Sequence, residues 1–397
     1  MIANKLQLKS FLLSALFLIV IVFLTRQVPL LTYIFIMNIA LILFIILNIK
    51  YILQVIKKEK FINIIIQVTF IIMLSYILYA LFKENEISLI IRFFVILLLI
   101  ILAYLIKPNK IYISIFIILI TIQSLFVIGL EAYLVSSFDQ KSYQPIRMLF
   151  VGNSWGDVYT TTGTWWKVQP RGNALLPFAF FISIIYYSGR KRIVLSIIFL
   201  LAILCAGNFA FILGVLLFSG LYYIYEKRWT LQKIIINFSL SSILILAISI
   251  PAYNYFADVV MKKAVSSNPI RIDQANVLVN DMSENISTIL FGQGLGNKID
   301  IETQWRDYSD NIYYELQSLY IMNQVGILFF TWFIVLNILL SLYFIKYKSL
   351  LIAYSSYIFY ALFNPYFLDT NHIVVIIILL SLRKVFDEKN IRNTSSI

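Results

Sequence analysis

Long apolar runs separated by short polar connections make up most of the chain, and each approaches the length of about 20 residues that crosses a bilayer as a helix. This pattern predicts an all-α, polytopic membrane protein with about twelve transmembrane helices. The runs lie at 11–24, 29–47, 61–82, 87–106, 111–134, 173–187, 193–205, 209–225, 234–256, 316–345, 350–363 and 372–382. Gly207 and Asn208 separate two of these runs, and we interpret that pair as a helical hairpin because basic segments stand at both of its outer ends.

Two connections, 135–172 and 257–315, are far longer than the others, which have about a dozen residues or fewer. They divide the chain into five parts. These are helices 1–5 in 1–134, a first long loop in 135–172, helices 6–9 in 173–256, a second long loop with surface helices in 257–315, and helices 10–12 with a tail in 316–397. A long polar segment between membrane helices needs a separate explanation, so we expect function to lie in these two loops.

The charged residues give the predicted orientation. The chain is 61% hydrophobic and only 13% charged, which excludes a soluble globular protein. With the N-terminus inside, 20 of the 32 basic residues fall on the inner side and 11 on the outer side, and Arg92 lies within a span. The positive-inside rule therefore predicts that both termini are cytoplasmic and that both long loops lie on the outer side of the membrane. The net charge of +13 is then an orientation signal, and we expect no nucleic-acid partner.

Several function classes are excluded by what the sequence lacks. One cysteine, Cys205, and one histidine, His372, cannot build a zinc or iron site from those ligands. No phosphate-binding GxxxxGK[ST] loop is present, and the inner connections are too short for a nucleotide-sugar pocket. We therefore expect a substrate met at the outer face or in the lipid, with no cofactor and no metal. Outer-loop acids such as Glu84 and Glu86 have the spacing of a cation site and remain the alternative.

Four arginines are candidates for binding an anionic substrate. Arg171, in KVQPRGNALLP, stands at a predicted helix start, where a cation opposes the helix dipole unless an anion is present, and Asn173 is a candidate N-cap. Arg271, in NPIRIDQ, opens a predicted surface helix and can hold a phosphate with its planar fork. Arg147 shares the first loop, and Arg92 lies near the outer end of its helix. The alternative for Arg171 and Arg92 is that the side chain snorkels to the membrane interface, and the alternative for Arg271 is a salt bridge to a nearby carboxylate or contact with lipid headgroups.

The remaining candidates lie around the second loop and the last span. Glu315, at the outer start of a span, can act as a general base or complement the helix dipole, and Gln317 lies beside it. His372, the first residue of the last run, can act as a base, bind a phosphate or simply begin the helix. Gly294 and Gly296, in FGQGLG, can turn sharply and present backbone N–H groups to an anion or a sugar.

These motifs together resemble a known family. The segments RGNALLP, AGNFAF, FGQGLGNKI and YYELQSLYIMNQVG, with an arginine-bearing outer helix, resemble the O-antigen polymerase (Wzy-type) proteins of the O-antigen polymerase/ligase superfamily. The resemblance covers roughly residue 132 to the C-terminus. It implies a GT-C-like membrane glycosyltransferase that transfers a growing glycan from undecaprenyl pyrophosphate to the next lipid-linked repeat unit.

The resemblance also implies roles for single residues. Arg171 and Arg271 match arginines that engage the lipid pyrophosphate, and Glu315 stands where the related ligases carry a histidine. The expected partners are the lipid-linked oligosaccharide donor and acceptor, membrane lipid and, optionally, a chain-length regulator protein. The alternatives are an O-antigen ligase, which carries a serine-arginine where this chain has Gly207-Asn208, and a lipid-linked oligosaccharide flippase, which would place its charges within the spans.

Overall fold

A computed structural model describes residues 2–27, 34–137, 144–160, 166–227, 268–302, 309, 314 and 316–394. Within these ranges the chain is an all-helical membrane protein with a single two-stranded hairpin. The N-terminal half contains α1 (Ile2–Leu24), α2 (Ile34–Lys58), α3 (Lys60–Phe82), α4 (Ile87–Ala103), α5 (Lys110–Ser137), α6 (Gln144–Gly152), β1 (Gly156–Thr160) and β2 (Trp166–Pro170). After a 3₁₀ turn (Arg171–Leu175) follow α7 (Leu176–Tyr186), α8 (Gly189–Ala206), α9 (Phe209–Lys227), α10 (Asn268–Met282), α11 (Ile286–Phe291), α12 (Gln317–Ser341), α13 (Lys348–Leu362) and α14 (Thr370–Thr394).

Helices occupy every predicted apolar run that falls in the described residues, and the run at 234–256 lies outside them. Among the described residues, four helices are long and apolar enough to cross a membrane by length and composition: Phe35–Lys58, Asn63–Phe82, Lys110–Ser137 and Gln317–Phe344. Shorter apolar helices lie at Phe11–Leu24, Ile87–Ala103, Arg171–Tyr186 and Phe209–Tyr225. A membrane protein is therefore the correct class, whereas twelve spans, the membrane type and the orientation stay predictions.

Two helices form the centre of the bundle. In α7 every residue from Leu176 to Ser183 is buried, and in α14 every residue from Ile373 to Leu380 is buried. A helix that is apolar on all sides belongs in the interior of a large helical protein, so the absence of a polar face in these runs explains their position. Aromatic side chains fill the space between α7 and the neighbouring α13, where the Phe178 ring meets the Tyr357 ring edge-on.

In the described part of the chain, three non-glycine residues have positive φ, and all three end a helix in the same way. They are Arg26 (φ 52°), Glu84 (φ 59°) and Ser154 (φ 57°). In each turn the residue itself and the residue after it donate backbone N–H groups to carbonyls of the last helical turn, which is the Schellman arrangement. These turns close α1, α3 and α6 without the glycine that this position usually carries.

Polar contacts connect elements at both ends of the bundle. At the end predicted to face the cytoplasm, Lys346 pairs with Asp387 at 2.7 Å and the Asn109 N–H donates to the Ser381 hydroxyl. At the other end lie the hairpin, the break between α8 and α9, and the glycine-rich segment that follows α11. All the candidate arginines of the described chain belong to elements near that second end.

Candidate functional site

The hairpin β1–β2 was not expected from the sequence, and it organises the first long loop. Its strands pair antiparallel, with Val158 opposite Val168 and Tyr159 opposite Lys167. The valines face the protein and are fully buried, whereas Tyr159 and Lys167 are only partly buried. This period of two gives the hairpin one apolar face on the bundle and one polar face toward the second end.

A buried carboxylate attaches the apolar face of the hairpin to the bundle. Glu131, on α5, is 5% exposed, and its Oε1 accepts the backbone N–H of Trp166 at 3.1 Å. Trp166 itself is fully buried. Glu131 therefore contacts the protein backbone and holds β2 against α5.

Two cations flank Tyr159 on the polar face. The Arg147 guanidinium makes two 3.0 Å hydrogen bonds to the carboxylate of Asp157 and lies 5.6 Å from the centre of the Tyr159 ring. Lys167 Nζ lies 5.3 Å from the same ring. Because its charge is matched by Asp157, Arg147 orders the hairpin and has less charge to offer a substrate than the sequence prediction assumed.

The polar face meets the break between α8 and α9. Gly207 has φ 60°, and a Cβ there would lie 2.7 Å from Cγ of Lys167, so the lysine stem lies directly on the glycine. The Gln169 side chain donates to the Ala206 carbonyl at 3.0 Å, and Asn208 donates to Asn364 at 2.9 Å. The segment that precedes Arg171 and the motif around Gly207 thus contact each other in the fold. Neither motif by itself indicates this contact.

Arg171 begins the 3₁₀ turn directly after β2. Its backbone N–H donates to the Trp155 carbonyl at 2.9 Å, and its side chain is exposed. Asn173 does not cap a helix as expected, because its side chain donates to the Val168 carbonyl and accepts from Gln123. We call the group Tyr159, Lys167, Arg171, Gly207 and Asn208 the first-loop patch.

The second loop contacts α12 through a set of backbone and amide hydrogen bonds that we call the second-loop clamp, formed by residues 292–296 with Asn323, Gln324 and Gly326. Gly326, at φ 66° and ψ 177°, breaks α12, and the chain at Gly292 crosses this break. A Cβ on Gly292 would lie 2.3 Å from the Gln324 carbonyl oxygen. Only glycine permits backbones to approach so closely.

The clamp corrects the expected role of the FGQGLG glycines. The Gly294 N–H donates to the Gln324 carbonyl and the Gly296 N–H donates to its side-chain Oε1, both at 2.9 Å. The sharp turns were predicted correctly, with φ of 94° and 83°. However, these N–H groups bind Gln324 and are not presented to an anion or a sugar.

The surface helix α10 packs on α12 and brings an unpredicted carboxylate into the clamp. Asp281 accepts from the Asn323 side chain at 2.7 Å, and its backbone carbonyl accepts from Gln293 at 2.8 Å. Partial burial raises the pKa of Asp281, and the neighbouring Glu284 carboxylate acts in the same direction, against the hydrogen bond from Asn323. The polar pair Asn323-Gln324 inside an apolar span was the sequence signal for this contact.

The other predicted site residues differ in their surroundings. Glu315 lies outside the described residues, whereas Arg271, near the start of α10, and Arg92, on α4, are both exposed. Gln317 begins α12 and accepts the Tyr314 N–H at 3.3 Å. The structure therefore leaves Arg271 and Arg92 accessible and gives Gln317 a contact within the second loop.

His372 is not an interfacial group. It is fully buried, with Nδ1 3.0 Å from the Phe367 carbonyl and Nε2 2.9 Å from the Tyr354 hydroxyl. Because a carbonyl oxygen only accepts, Nδ1 carries the proton and Nε2 faces the tyrosine. Both ring nitrogens are occupied inside the bundle, so His372 is a structural residue and not a contact to phosphate.

The connection between α13 and α14 lies between the two regions. The Thr370 hydroxyl donates to the Leu24 carbonyl next to the first-loop patch, and Leu368 lines a small apolar cavity together with Leu295 of the second-loop clamp. The patch and the clamp are therefore parts of one end of the bundle.

Comparisons with protein-family models, with curated proteins and with solved structures found no match to the chain.

Proposed function

We propose that the chain is a membrane glycosyltransferase of the O-antigen polymerase type. It would join undecaprenyl-pyrophosphate-linked repeat units at the periplasmic face of the bacterial inner membrane. The observation that supports the proposal is the contact between the segment KVQPRGNALLP and the motif AGNFAF. There the Lys167 stem lies on Gly207 and the Gln169 side chain donates to the Ala206 carbonyl, two positions before Arg171. A partly buried lysine on a helix break, followed four positions later by an exposed arginine, suits a phosphate group held at headgroup depth.

The proposed reaction is a glycosyl transfer. A carboxylate, for which Glu315 is the candidate, takes the proton of an acceptor hydroxyl on the incoming unit. The hydroxyl oxygen attacks the anomeric carbon of the donor glycan, and the bond between that carbon and the pyrophosphate oxygen breaks. The lipid pyrophosphate leaves with the bonding electrons, and Arg171 and Arg271 stabilise the added negative charge. No cofactor enters this sequence of steps.

The second-loop clamp supports the proposal in a different way. It fixes the start of α12, which follows Glu315, through Gln324 and Asn323, and it fixes α10, which carries Arg271. A base and a cation on separate elements need such mutual support to keep a productive distance. Gly207-Asn208, in the place of the ligases' serine-arginine, favours polymerase over ligase.

Deleting the gene and examining the surface polysaccharide tests this assignment. We expect surface glycan capped with single repeat units, restored to long chains by the parent gene and not by Arg171→Ala at equal protein level. Lipid core without any cap would instead indicate a ligase or a flippase. Long chains in the deletion strain would contradict the proposal.

A further inference from the structure

One face of α3 exposes apolar side chains along the whole helix. These residues recur at helical spacing, at Ile64, Val68, Ile71, Leu78 and Phe82. The helix is long and apolar enough to cross a membrane. Because lipid tails are as apolar as these side chains, an exposed stripe of this kind on a membrane helix faces the acyl chains. Phe82, which is 84% exposed, ends the helix and marks the level at which the stripe stops.

The short helix α11 of the second loop lies directly against this end of α3. The centres of the Phe291 and Tyr79 rings are 6.4 Å apart, and the Tyr79 hydroxyl donates to the Gly292 carbonyl at 3.0 Å. The Asn85 side chain, just beyond α3, donates to the Gln293 carbonyl at 3.2 Å. These contacts hold α11 at the level of the last turn of α3.

The side chains of α11 are distributed in the opposite way to those of a helix in water. Thr288, which forms a capping box with Asn285, is its buried residue. Ile286 is 76% exposed, and Leu290 and Phe291 are also exposed. A surface helix of a soluble protein buries its apolar residues and exposes its polar ones. The exposed face of α11 therefore does not suit contact with water.

The exposed side chains of the two helices form one surface, because the Tyr79–Phe291 contact joins the helices between them. We call this surface the α3–α11 patch, and its members are Leu78, Leu81, Phe82, Ile286, Leu290 and Phe291. Large contiguous apolar patches mark contact with a partner or a membrane. Since the α3 half of the patch continues the stripe that faces the acyl chains, the membrane is the partner that fits.

A lysine and a tyrosine stand beside the patch. Lys83 is exposed at the end of α3, and its Nζ lies 5.8 Å from the centre of the Tyr79 ring. Tyrosine rings concentrate at membrane–water interfaces, and lysines at helix ends extend toward the headgroups. Both residues therefore indicate that the headgroup region begins at the level of α11.

The neighbouring helix α10 has a different surface. Its exposed residues include the apolar Ile272 and Val279, but Asn276 and Asn280 lie among them. An exposed face of mixed polarity lacks the wide apolar stripe that inserts among acyl chains. Membrane contact is therefore expected of α11, although the sequence indicated α10 as the surface helix.

We propose that α11 lies in the membrane interface, with the α3–α11 patch inserted among the acyl chains of one phospholipid leaflet. Helices of this kind lie with their apolar face about 5–10 Å deep in the boundary between headgroups and acyl chains. Because α11 leads directly into Gly292, the insertion holds the second-loop clamp at headgroup depth. This membrane contact is independent of the reaction that the protein performs.

The test measures how close position 286 lies to lipid. The full chain with Cys205→Ala carries one new cysteine labelled with the fluorophore NBD, in phosphatidylcholine nanodiscs with or without a spin label on the acyl chains. The label on Ile286→Cys should be quenched about as strongly as on Leu78→Cys of α3. It should be quenched several-fold more strongly than on Asn276→Cys, on the exposed face of α10. Aqueous iodide should quench the labels in the reverse order.

Two results would overturn the proposal. If iodide quenches the label at position 286 as strongly as the label at 276, the patch faces water. If neither quencher reaches position 286, another protein segment covers the patch. Should Ile286→Cys fail to fold, Leu290→Cys replaces it, and the same two results decide.

A polar substitution separates contact with lipid from exposure alone. Ile286→Asn should lower the melting midpoint in nanodiscs, because the new amide enters the acyl region without hydrogen-bond partners. Ile272→Asn is the matched control, since it makes the same replacement at an exposed isoleucine of α10, and it should melt like the parent. An unchanged midpoint for Ile286→Asn, or an equal loss in both variants, would contradict the membrane contact.

Discussion

The two loop regions use their polar residues in opposite ways. In the first-loop patch, Lys167 is partly buried with its stem on Gly207, and the Arg171 side chain is exposed. In the second-loop clamp, the polar groups bind one another, since Gln324 accepts from both Gly294 and Gly296 and Asn323 donates to Asp281. Both segments have the same polar, glycine-containing composition in sequence. Exposure distinguishes a surface that can take a ligand from buried polar contacts that hold helices together.

This contrast assigns different consequences to equivalent mutations. Substitutions in the clamp should lower stability more than ligand affinity. Its glycines lie where two backbone segments cross, and no room remains there for a side chain. Changes in the patch should alter ligand affinity first, because its cationic side chains lie partly or fully at the surface. The variants below separate these two outcomes.

Gly292→Ala should have the largest effect on stability. Its Cβ would lie 2.3 Å from the Gln324 carbonyl oxygen and 2.5 Å from the Gly326 nitrogen, at a φ of 78°. Steric overlap between backbones and left-handed strain add up to about 3–5 kcal/mol of lost stability. Thermal unfolding in detergent should therefore show a large drop in the melting midpoint. Gly220→Ala, on α9 with no atom within 4 Å of its Cβ, is the control and should melt like the parent.

Gly207→Ala should lower both the stability of the protein and its affinity for pyrophosphate. The loss of stability should be smaller than that of Gly292→Ala. At φ 60° the new side chain costs about 1–2 kcal/mol, and its Cβ would lie 2.7 Å from Lys167 Cγ and displace that flexible stem. Gly189→Ala has the same φ problem at 57° but nothing within 4 Å. We expect similar melting midpoints for the two variants, with weaker pyrophosphate binding only in Gly207→Ala. Equal pyrophosphate affinities of Gly207→Ala and Gly189→Ala would mean that Lys167 does not contribute to binding.

Asp281→Asn should have the smallest effect, visible as a pH dependence. Partial burial raises the pKa of Asp281, so the folded state keeps its proton at a pH where the unfolded state has released it. This group therefore costs stability as pH rises from its ordinary value of about 3.9, and the cost persists above the raised pKa. Asparagine removes the cost and can still accept from Asn323.

The measurement is the melting midpoint of parent and Asp281→Asn at pH 4 and pH 7. The variant should gain stability relative to the parent as pH increases. A difference that stays constant, or that changes in the opposite direction, would mean that Asp281 is not desolvated in the clamp.

Much of the fold could be predicted from the sequence, because apolar length and charge distribution act locally. The helices follow the apolar runs, and the sharp turns at Gly294 and Gly296 were predicted from residue type alone. The hairpin β1–β2 was missed because its strands have only five residues each and lie among tryptophans and tyrosines that equally suit a membrane interface.

The candidate site could be predicted only in part, since pairing between distant segments has no local signal. Arg171 was identified from its helix-start position, yet the contacts of Lys167 and Gln169, just before it, with the helix break at Ala206 and Gly207 have no signal in the local sequence. His372 was expected at an interface, but its partners Tyr354 and Phe367 bury both nitrogens. The Gly294 and Gly296 amides were expected to face a ligand, whereas Gln324, some thirty positions later, accepts them.

The most direct test of the account is polymer formation by purified protein supplied with lipid-linked repeat units, comparing parent, Arg171→Ala and Glu315→Gln, each with and without EDTA. We expect long glycan chains from the parent in both conditions. Arg171→Ala should slow the reaction by about 30- to 1,000-fold through loss of a charge-assisted contact to the leaving group. Glu315→Gln should still bind the lipid-linked unit but form no polymer, because the amide cannot accept the proton. Parental rates from both variants would contradict the account, and loss of polymer with EDTA would replace the proposed carboxylate mechanism by one that needs a metal.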